Sequence, residues 1–121
     1  MNKFKDLKVW QKAVELIVEI YKTTDKIPAK EQFGIISQIN RAAVSIAANI
    51  AEGAGRNTKK DFNHFLAISM GSSCEVETLL IISFKLNFIK QTELNDLNNE
   101  IEQIQKMIFA LQSANKKLSN Y

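Results

Sequence analysis

The sequence has little of the chemistry on which metal centres and many enzymes depend. It contains one cysteine, Cys74, and one histidine, His64, among 121 residues. A single cysteine excludes a disulfide within the chain and a cysteine-based metal cluster. A single histidine disfavours a histidine-based metal site within one chain. We therefore expect neither a metal ion nor a cofactor.

The other reactive residues do not form a catalytic set. His64 lies near Lys60 and Asp61 at helical spacing, which is typical of a surface histidine. Ser72 and Ser73 have no base nearby, and no glycine-rich phosphate loop follows a strand. The glutamates do not form the Glu-x-x-His pairs of carboxylate metal bundles. We predict that the protein is not an enzyme.

A long apolar segment is also missing. The densest apolar run, residues 79–82, is far shorter than the roughly 20 residues that span a bilayer. Near the N-terminus, Lys12, Glu15 and Glu19 interrupt the apolar residues, unlike a signal peptide. We expect a cytoplasmic protein without a membrane partner. Its formal net charge of +3 does not by itself indicate nucleic acid.

What the sequence does have is helical periodicity. One proline and four glycines leave few breaks, and the abundant Leu, Ile, Ala, Lys, Glu and Gln favour helices. Apolar spacings of three and four predict helices at about residues 6–24, 28–53, 59–88 and 93–118. Their short connections favour antiparallel neighbours. We predict an all-α, antiparallel up-down-up-down four-helix bundle that forms a single domain, residues 1–121.

Each predicted helix carries a row of residues for the bundle core. The rows are Trp10, Ala13, Val14, Ile17, Ile20 and Tyr21; Ile39, Ala43, Ile46 and Ile50; Phe62, Phe65, Leu66, Val76, Leu79, Leu80 and Leu86; and Leu94, Leu97, Ile101, Ile104, Ile108, Leu111 and Leu118. The last row is a heptad seam that only Asn115 interrupts.

A second apolar row lies at a different angle on the third helix. It consists of Met70, Cys74, Ile81, Phe84 and Phe88. A helix with two apolar rows needs two partners, and one of them could be another subunit. We predict that this row forms an oligomer interface and that Cys74 is a packed or interface thiol.

Local signals mark the helix ends. Thr58 followed by Asp61 predicts a capping box, and Thr92 is the expected cap of the fourth helix. Gly53 and Gly55 can adopt the left-handed conformation that ends a helix.

The alanine-rich segment 41–56 predicts how the second and third helices meet. A turn centred near Asn57 places Ala43 level with Gly71, so small residues face each other and the helices can approach closely. Alanine is also simply a good helix former. Gly71 favours close packing as the explanation, because glycine inside a helix costs roughly 1 kcal/mol relative to alanine.

Two pairs of oppositely charged residues are predicted to lie close together, one across the two helices and one within the segment that ends the second helix. Arg41 lies near Glu75, and either an ion pair or a solvated arginine fits the sequence. Glu52 and Arg56 are four residues apart and can pair at the helix end, unless Gly55 breaks the helix first.

Three segments resemble a known family: FKDLKVWQKA, QINRAAVSIAANIAEGAGR and FNHFLAISMGSSCEVETLL. The family comprises the four-helix bundle proteins encoded in intervening sequences of bacterial 23S ribosomal RNA, and the accessory variability protein of diversity-generating retroelements is a relative. The matching positions include Trp10, Gln38, Arg41, Ala42, Ser45, Ile46, Asn49, Glu52, Gly53, Gly55, Arg56, Phe62, Phe65, Leu66, Gly71, Ser72 and Glu75.

The resemblance implies a bundle that assembles into a homopentameric, barrel-like ring. In the retroelement relative, a basic ring surface is linked to binding nucleic acid and a reverse transcriptase, whereas most members have no established biochemical function. The family motif implies a structural role for Arg41, Asn49, Glu52, Gly53, Gly55, Gly71 and Glu75.

An up-down bundle would gather basic residues at one end, which we call the lysine-rich end. Its basic residues are Lys3, Lys5, Lys8, Lys12, Arg56, Lys59, Lys60, Lys116 and Lys117, against Asp6, Glu52 and Asp61. Such a surface attracts the backbone of RNA or DNA without reading its sequence, although exposed lysines can also serve solubility alone. The alternative function is a protein–protein interaction scaffold or adaptor that does not bind nucleic acid.

Overall fold

A computed structural model describes residues 3–119, and within this span the protein is helical without a strand. The helices are α1 (Lys8–Thr24), α2 (Ile35–Ala54), α3 (Lys59–Lys85) and α4 (Gln91–Ser119), with short 3-10 helices at Phe4–Asp6 and Ala29–Glu31. The predicted domain also includes residues 1, 2, 120 and 121, which lie outside the described residues. Four helices without strands agree with the predicted four-helix bundle.

Contacts between the helices give their arrangement. Helices α1 and α3 each pack against both α2 and α4. Ser69 Oγ donates to the Ile46 carbonyl at 2.8 Å, and Ser45 Oγ lies 2.8 Å from Ser72 Oγ. Higher residue numbers in α3 therefore pair with lower residue numbers in α2, which shows that the two helices are antiparallel.

The apolar seams of α2 and α4 are confirmed over most of their length. The largest fully buried apolar side chains are Leu16, Ile20, Ile39, Ile46, Ile50, Leu66, Val76, Leu80, Ile101, Ile104 and Ile108. Leu86 and Leu118, which were predicted to be core residues, are exposed at or beyond the ends of their helices.

Helix α1 is rotated relative to its predicted core row. Val14 and Tyr21 are exposed, and the buried positions are taken by Val9 and Leu16, beside Ala13 and Ile20. Both rows obey helical spacing, so periodicity alone cannot choose between them. Packing against α2 and α4 selects the row that contains Leu16.

The start of α2 and the end of α3 differ from the predicted helix ends. Helix α2 begins at Ile35 instead of near Pro28, because Gly34 has φ −110° and ψ −114° and separates it from a 3-10 turn. Helix α3 ends at Lys85, and Asn87 then takes a left-handed φ of 62°. That residue turns the chain before Phe88, which was predicted to lie inside the helix.

Thr92 lies inside α4 and is not its cap; instead the side chain of Glu93, in the first turn, accepts from the residue that precedes the helix. The Lys90 backbone N–H donates to Glu93 Oε1 at 2.9 Å, and Lys26 Nζ donates to Glu93 Oε2 at 2.9 Å. The hydrogen bond from the Lys90 backbone, followed by the one from Lys26, lowers the pKa of Glu93 below its ordinary value. This carboxylate therefore links the segment after α1 to the start of α4.

Gly53 lies where α2 and α3 pack closely together. A Cβ atom there would lie 2.8 Å from Phe65 Cβ and 2.9 Å from Phe62 Cδ1. The predicted left-handed ending is wrong, because no glycine in residues 3–119 has a positive φ and Gly55 lies at φ −84°, ψ −3°. Gly53 is thus required for space.

Gly71 does not serve the close packing predicted for it. The residue is exposed, and a Cβ atom there would meet nothing within 4 Å. The actual register pairs Ser45 with Ser72 and Ile46 with Ser69. Ala43 is buried in the core instead of facing Gly71.

Small polar residues join α2 to α3 where the family motif is densest. Asn49 Nδ2 donates to the Ser45 carbonyl and to Ser45 Oγ, both at 2.9 Å. Ser45 Oγ in turn contacts Ser72 Oγ. Asn49 therefore supports a hydrogen-bonded link between the two helices.

Helix α3 is long and apolar enough to cross a bilayer by length and composition alone. The core helix of a soluble protein passes the same test, so the observation is weak evidence for a membrane span. Its buried face packs against α2 and α4.

Candidate nucleic-acid interface

The lysine-rich end is assembled from three separate segments. The 3-10 helix Phe4–Asp6 packs against α2, which places the start of the described chain beside that helix. Asn63, near the start of α3, donates to the Gln112 carbonyl near the end of α4 at 2.9 Å. The antiparallel fold thereby places the start of α3 beside the end of α4.

Eight of the nine basic residues assigned to this end are exposed, and Lys12 is half-buried. The three acidic residues, Asp6, Glu52 and Asp61, are exposed as well. The basic residues outnumber the acidic ones by six. The end therefore presents net positive charge to solvent.

Arg56 is held in place at this end. Its guanidinium Nη2 lies 2.9 Å from Glu52 Oε2, and its Cζ atom lies 4.6 Å from the centroid of the Phe65 ring. This contact confirms the predicted Glu52–Arg56 pair. The pair can form because Gly55 keeps a right-handed helical conformation and does not turn the chain away. Arg56 is thus partly neutralised by Glu52.

The start of the described chain is anchored next to α1. Gln11 Nε2 donates to the Lys5 carbonyl at 2.8 Å, and the Phe4 and Trp10 rings meet edge to face with centroids 5.1 Å apart. Trp10 is half-buried and packs against the core. These contacts fix the backbone that carries Lys5.

The start of α3 and the end of α4 are joined by buried amides. Asn115 Nδ2 donates to Asn63 Oδ1 at 2.8 Å, and Asn115 is 2% exposed. Asn115 is the residue that interrupts the heptad seam of α4. The interruption is therefore a polar link that holds the two helices together at the lysine-rich end.

A groove between α3 and α4, which we call the α3–α4 groove, runs beside these amides. Its lining residues are Lys60, Asn63, His64, Phe109, Gln112, Ser113 and Lys116. None of them is a carboxylate. Phe109 is 66% exposed. Phe109 was not among the predicted site residues, because a single apolar residue outside the α4 seam carries no periodic signal.

Arg41 and Glu75 line a second groove, between α2 and α3, together with Gln38, Ser45 and Ser72. The predicted proximity is therefore present. Within residues 3–119 no ion pair joins Arg41 to Glu75, and both side chains are exposed. Arg41 is therefore a solvated arginine, the second of the two predicted alternatives.

The predicted interface row of α3 divides into two groups. Met70, Phe84 and Phe88 are half-buried and pack against the chain's own core, whereas Cys74 and Ile81 are exposed. Cys74 is therefore not packed within the chain. Its role in an interface stays a prediction.

The described part of the chain contains no group of three or more His, Cys, Asp or Glu residues that could hold a metal ion. His64 is exposed, and its ring meets Phe65 edge to face with centroids 5.4 Å apart. It lines the α3–α4 groove together with Lys60 and Lys116.

Comparisons with known proteins add a family and a fold. The model of the family described as 23S rRNA-intervening sequence protein matches residues 5–110. A crystal structure from Bacteroides thetaiotaomicron, described as a protein of unknown function from the S23 ribosomal protein family, is 27% identical. The match covers 86% of this chain and 97% of that chain with a TM-score of 0.77. No curated protein matches.

Proposed function

Since the chain belongs to the family of 23S rRNA-intervening sequence proteins, we propose that it is a non-enzymatic, homo-oligomeric bundle, pentameric as the family resemblance implies. We further propose that it binds the backbone of RNA or DNA nonspecifically through the lysine-rich end. The observation that carries this proposal is the excess of six basic residues at one end of the bundle, where eight of the nine basic side chains are exposed.

Charge of this kind is suited to backbone binding. Lysine side chains contact phosphates without discriminating between bases, and they release counterions from the nucleic acid. Glu52, one of the three acidic residues at this end, is already paired with Arg56. In a ring of identical subunits the same surface would repeat around the symmetry axis.

An exposed apolar face on α3 supports the assembly. Ile68, Cys74, Ile81 and Ile82 are exposed along this helix, with the open Gly71 among them. Several exposed apolar residues on one helix are typical of an interaction site on a soluble protein. We propose that a second copy of the chain covers it.

We predict that the protein binds RNA and DNA 20-mers at 50 mM NaCl. Raising the salt to 200 mM should weaken binding by at least about a hundredfold, because several phosphate contacts release counterions.

Neutralising two exposed lysines, with Lys5→Gln and Lys8→Gln together, should lower the slope of log affinity against log salt. Each lost contact should lower it by about 0.7 to 0.9. Fluorescence anisotropy with labelled oligonucleotides measures both quantities.

The matched control is Lys30→Gln with Lys85→Gln. These exposed lysines lie at the opposite end of the bundle, so the variant removes the same charge from elsewhere. It should keep the salt slope of the unmodified protein. Absence of binding to both nucleic acids at 50 mM NaCl would contradict the proposed function.

We predict a particle mass of about five times the 13.7 kDa of one chain. Ile82→Lys should reduce this mass, because a charge in a buried apolar contact is left without a partner. Phe33→Ser is the control, since Phe33 is 94% exposed and lies outside the α3 face. Light scattering after size-exclusion chromatography provides the measurement, and a mass of one chain for the unmodified protein would refute the assembly.

The alternative, a protein scaffold without nucleic-acid binding, is favoured by the same apolar face of α3. The two functions differ in one readout. Recovery of a single partner protein after nuclease treatment, from a protein that binds neither RNA nor DNA, would support the scaffold.

A further inference from the structure

Phe109 is unusual among the apolar residues of α4. The seam residues Leu97, Ile101, Ile104 and Ile108 are buried, whereas Phe109 points away from the core and is 66% exposed. Its groove contains two lysines, Lys60 and Lys116, with Asn63, Gln112 and Ser113 as polar neighbours. An exposed ring in a groove that also holds two lysines is costly for solubility and makes no contribution to the bundle core.

We infer that the α3–α4 groove binds a single-stranded segment of nucleic acid. One base stacks on the Phe109 ring, and phosphates further along the same strand contact Lys60 and Lys116, which lie together toward the end of the groove. The inference rests on the proposed function and deepens it, because it assigns a specific site and an unpaired strand to a surface otherwise defined by charge alone.

The lining favours this ligand. Aromatic rings accept any base by stacking, while basic residues along the same groove contact the phosphates. No carboxylate lines the groove to repel a phosphate or to pair with a basic peptide. A base within a duplex has its faces covered by its neighbours, so stacking on Phe109 requires an unpaired base.

The groove is also preorganised. Asn63 donates to the Gln112 carbonyl at 2.9 Å and accepts from Asn115 at 2.8 Å, which fixes the two walls against each other. The His64 ring is held edge to face against Phe65, so it too has a defined position. A ligand therefore does not have to assemble the site.

The test compares Phe109→Leu with Phe33→Leu in the full-length protein. Both phenylalanines are exposed, and leucine keeps the apolar character while removing the ring. The probes are a labelled single-stranded RNA 12-mer and the duplex that it forms with its complement. Phe109→Leu should weaken single-strand binding about tenfold, the size expected for one lost stacking contact. Duplex binding, and both affinities of Phe33→Leu, should stay unchanged.

A charge variant tests the phosphate contacts separately. Lys116→Gln should lower the single-strand salt slope by about 0.7, whereas Lys85→Gln at the opposite end should not. The inference is supported only if the ring affects affinity and the lysine affects the salt slope.

The other outcomes are distinguishable. Salt-dependent binding that Phe109→Leu leaves unchanged, or an equal loss on the duplex, would overturn this inference and leave the proposed function intact. Absence of binding by the unmodified protein would overturn both. A lower particle mass for Phe109→Leu would instead assign the ring to a subunit contact.

Discussion

Gly53→Ala should lose about 1 kcal/mol of unfolding free energy, the overpacking cost less the gain in helix propensity. The added Cβ would lie 2.8 Å from Phe65 Cβ and 3.1 Å from the Phe62 carbonyl oxygen, and neither atom is the end of a flexible side chain. Alanine gains about 1 kcal/mol in helix propensity, but forcing α2 and α3 apart costs more, because overpacking a core typically costs about 1–3 kcal/mol. Chemical denaturation at fixed protein concentration measures the difference.

Gly71→Ala is the matched control, and it should change stability in the opposite direction. A Cβ there meets nothing within 4 Å, and the residue lies inside α3. The substitution should therefore add up to about 1 kcal/mol through helix propensity. Equal stabilisation by both substitutions would show that Gly53 is not a point of close contact.

Asn63→Ala should destabilise the protein by about 2–3 kcal/mol. The substitution removes the acceptor for Asn115 Nδ2 and the donor to the Gln112 carbonyl, and it does so where Asn115 is buried. Removing one partner of a buried hydrogen bond costs the desolvation of the other. Thermal and denaturant unfolding followed by circular dichroism report the loss.

Two further variants isolate the cause. Asn99→Ala changes an exposed asparagine of the same helix as Asn115 and should alter stability by only a few tenths of a kcal/mol. Replacing Asn63 and Asn115 together by leucine should recover most of the loss, because both polar partners then leave the interface. An unchanged denaturation midpoint for Asn63→Ala would contradict the assigned role.

The helices and most of the core were predictable because helical spacing depends on short stretches of sequence. The seams of α2 and α4 illustrate this, since Ile39, Ile46, Ile101 and Ile104 are all fully buried. The core face of α1 was not predictable in the same way. Its sequence carries two apolar rows, and tertiary packing decides which of them is buried.

Glycine roles were harder to predict than helices. Gly53 and Gly71 look alike in sequence, because each lies in an otherwise helical segment. Their difference depends on what the neighbouring helix places opposite them, namely Phe62 and Phe65 in one case and open space in the other. The predicted register is close to the observed one, so Gly71 differs because it lies on the exposed face of α3.

The candidate interface was likewise predictable in part: its basic residues were predicted from the sequence, and Phe109 was not. Topology alone grouped the nine basic residues, because the ends of the helices follow from the order of the elements. Phe109 escaped notice because a single apolar residue outside a seam has no periodic signal. Its exposure beside Lys60 and Lys116 emerges only when α3 and α4 are placed together.

The amide pair of Asn63 and Asn115 also fixes the alignment of α3 and α4. A seam of leucine and isoleucine nearly repeats every seven residues, so α4 could slide by one heptad and bury almost the same side chains. A displaced Asn115 would lose the Asn63 oxygen that it now meets at 2.8 Å. The Asn63–Asn115 hydrogen bond thus selects one register for two helices that could otherwise pack in several. That register also fixes the position of Lys60 relative to Lys116.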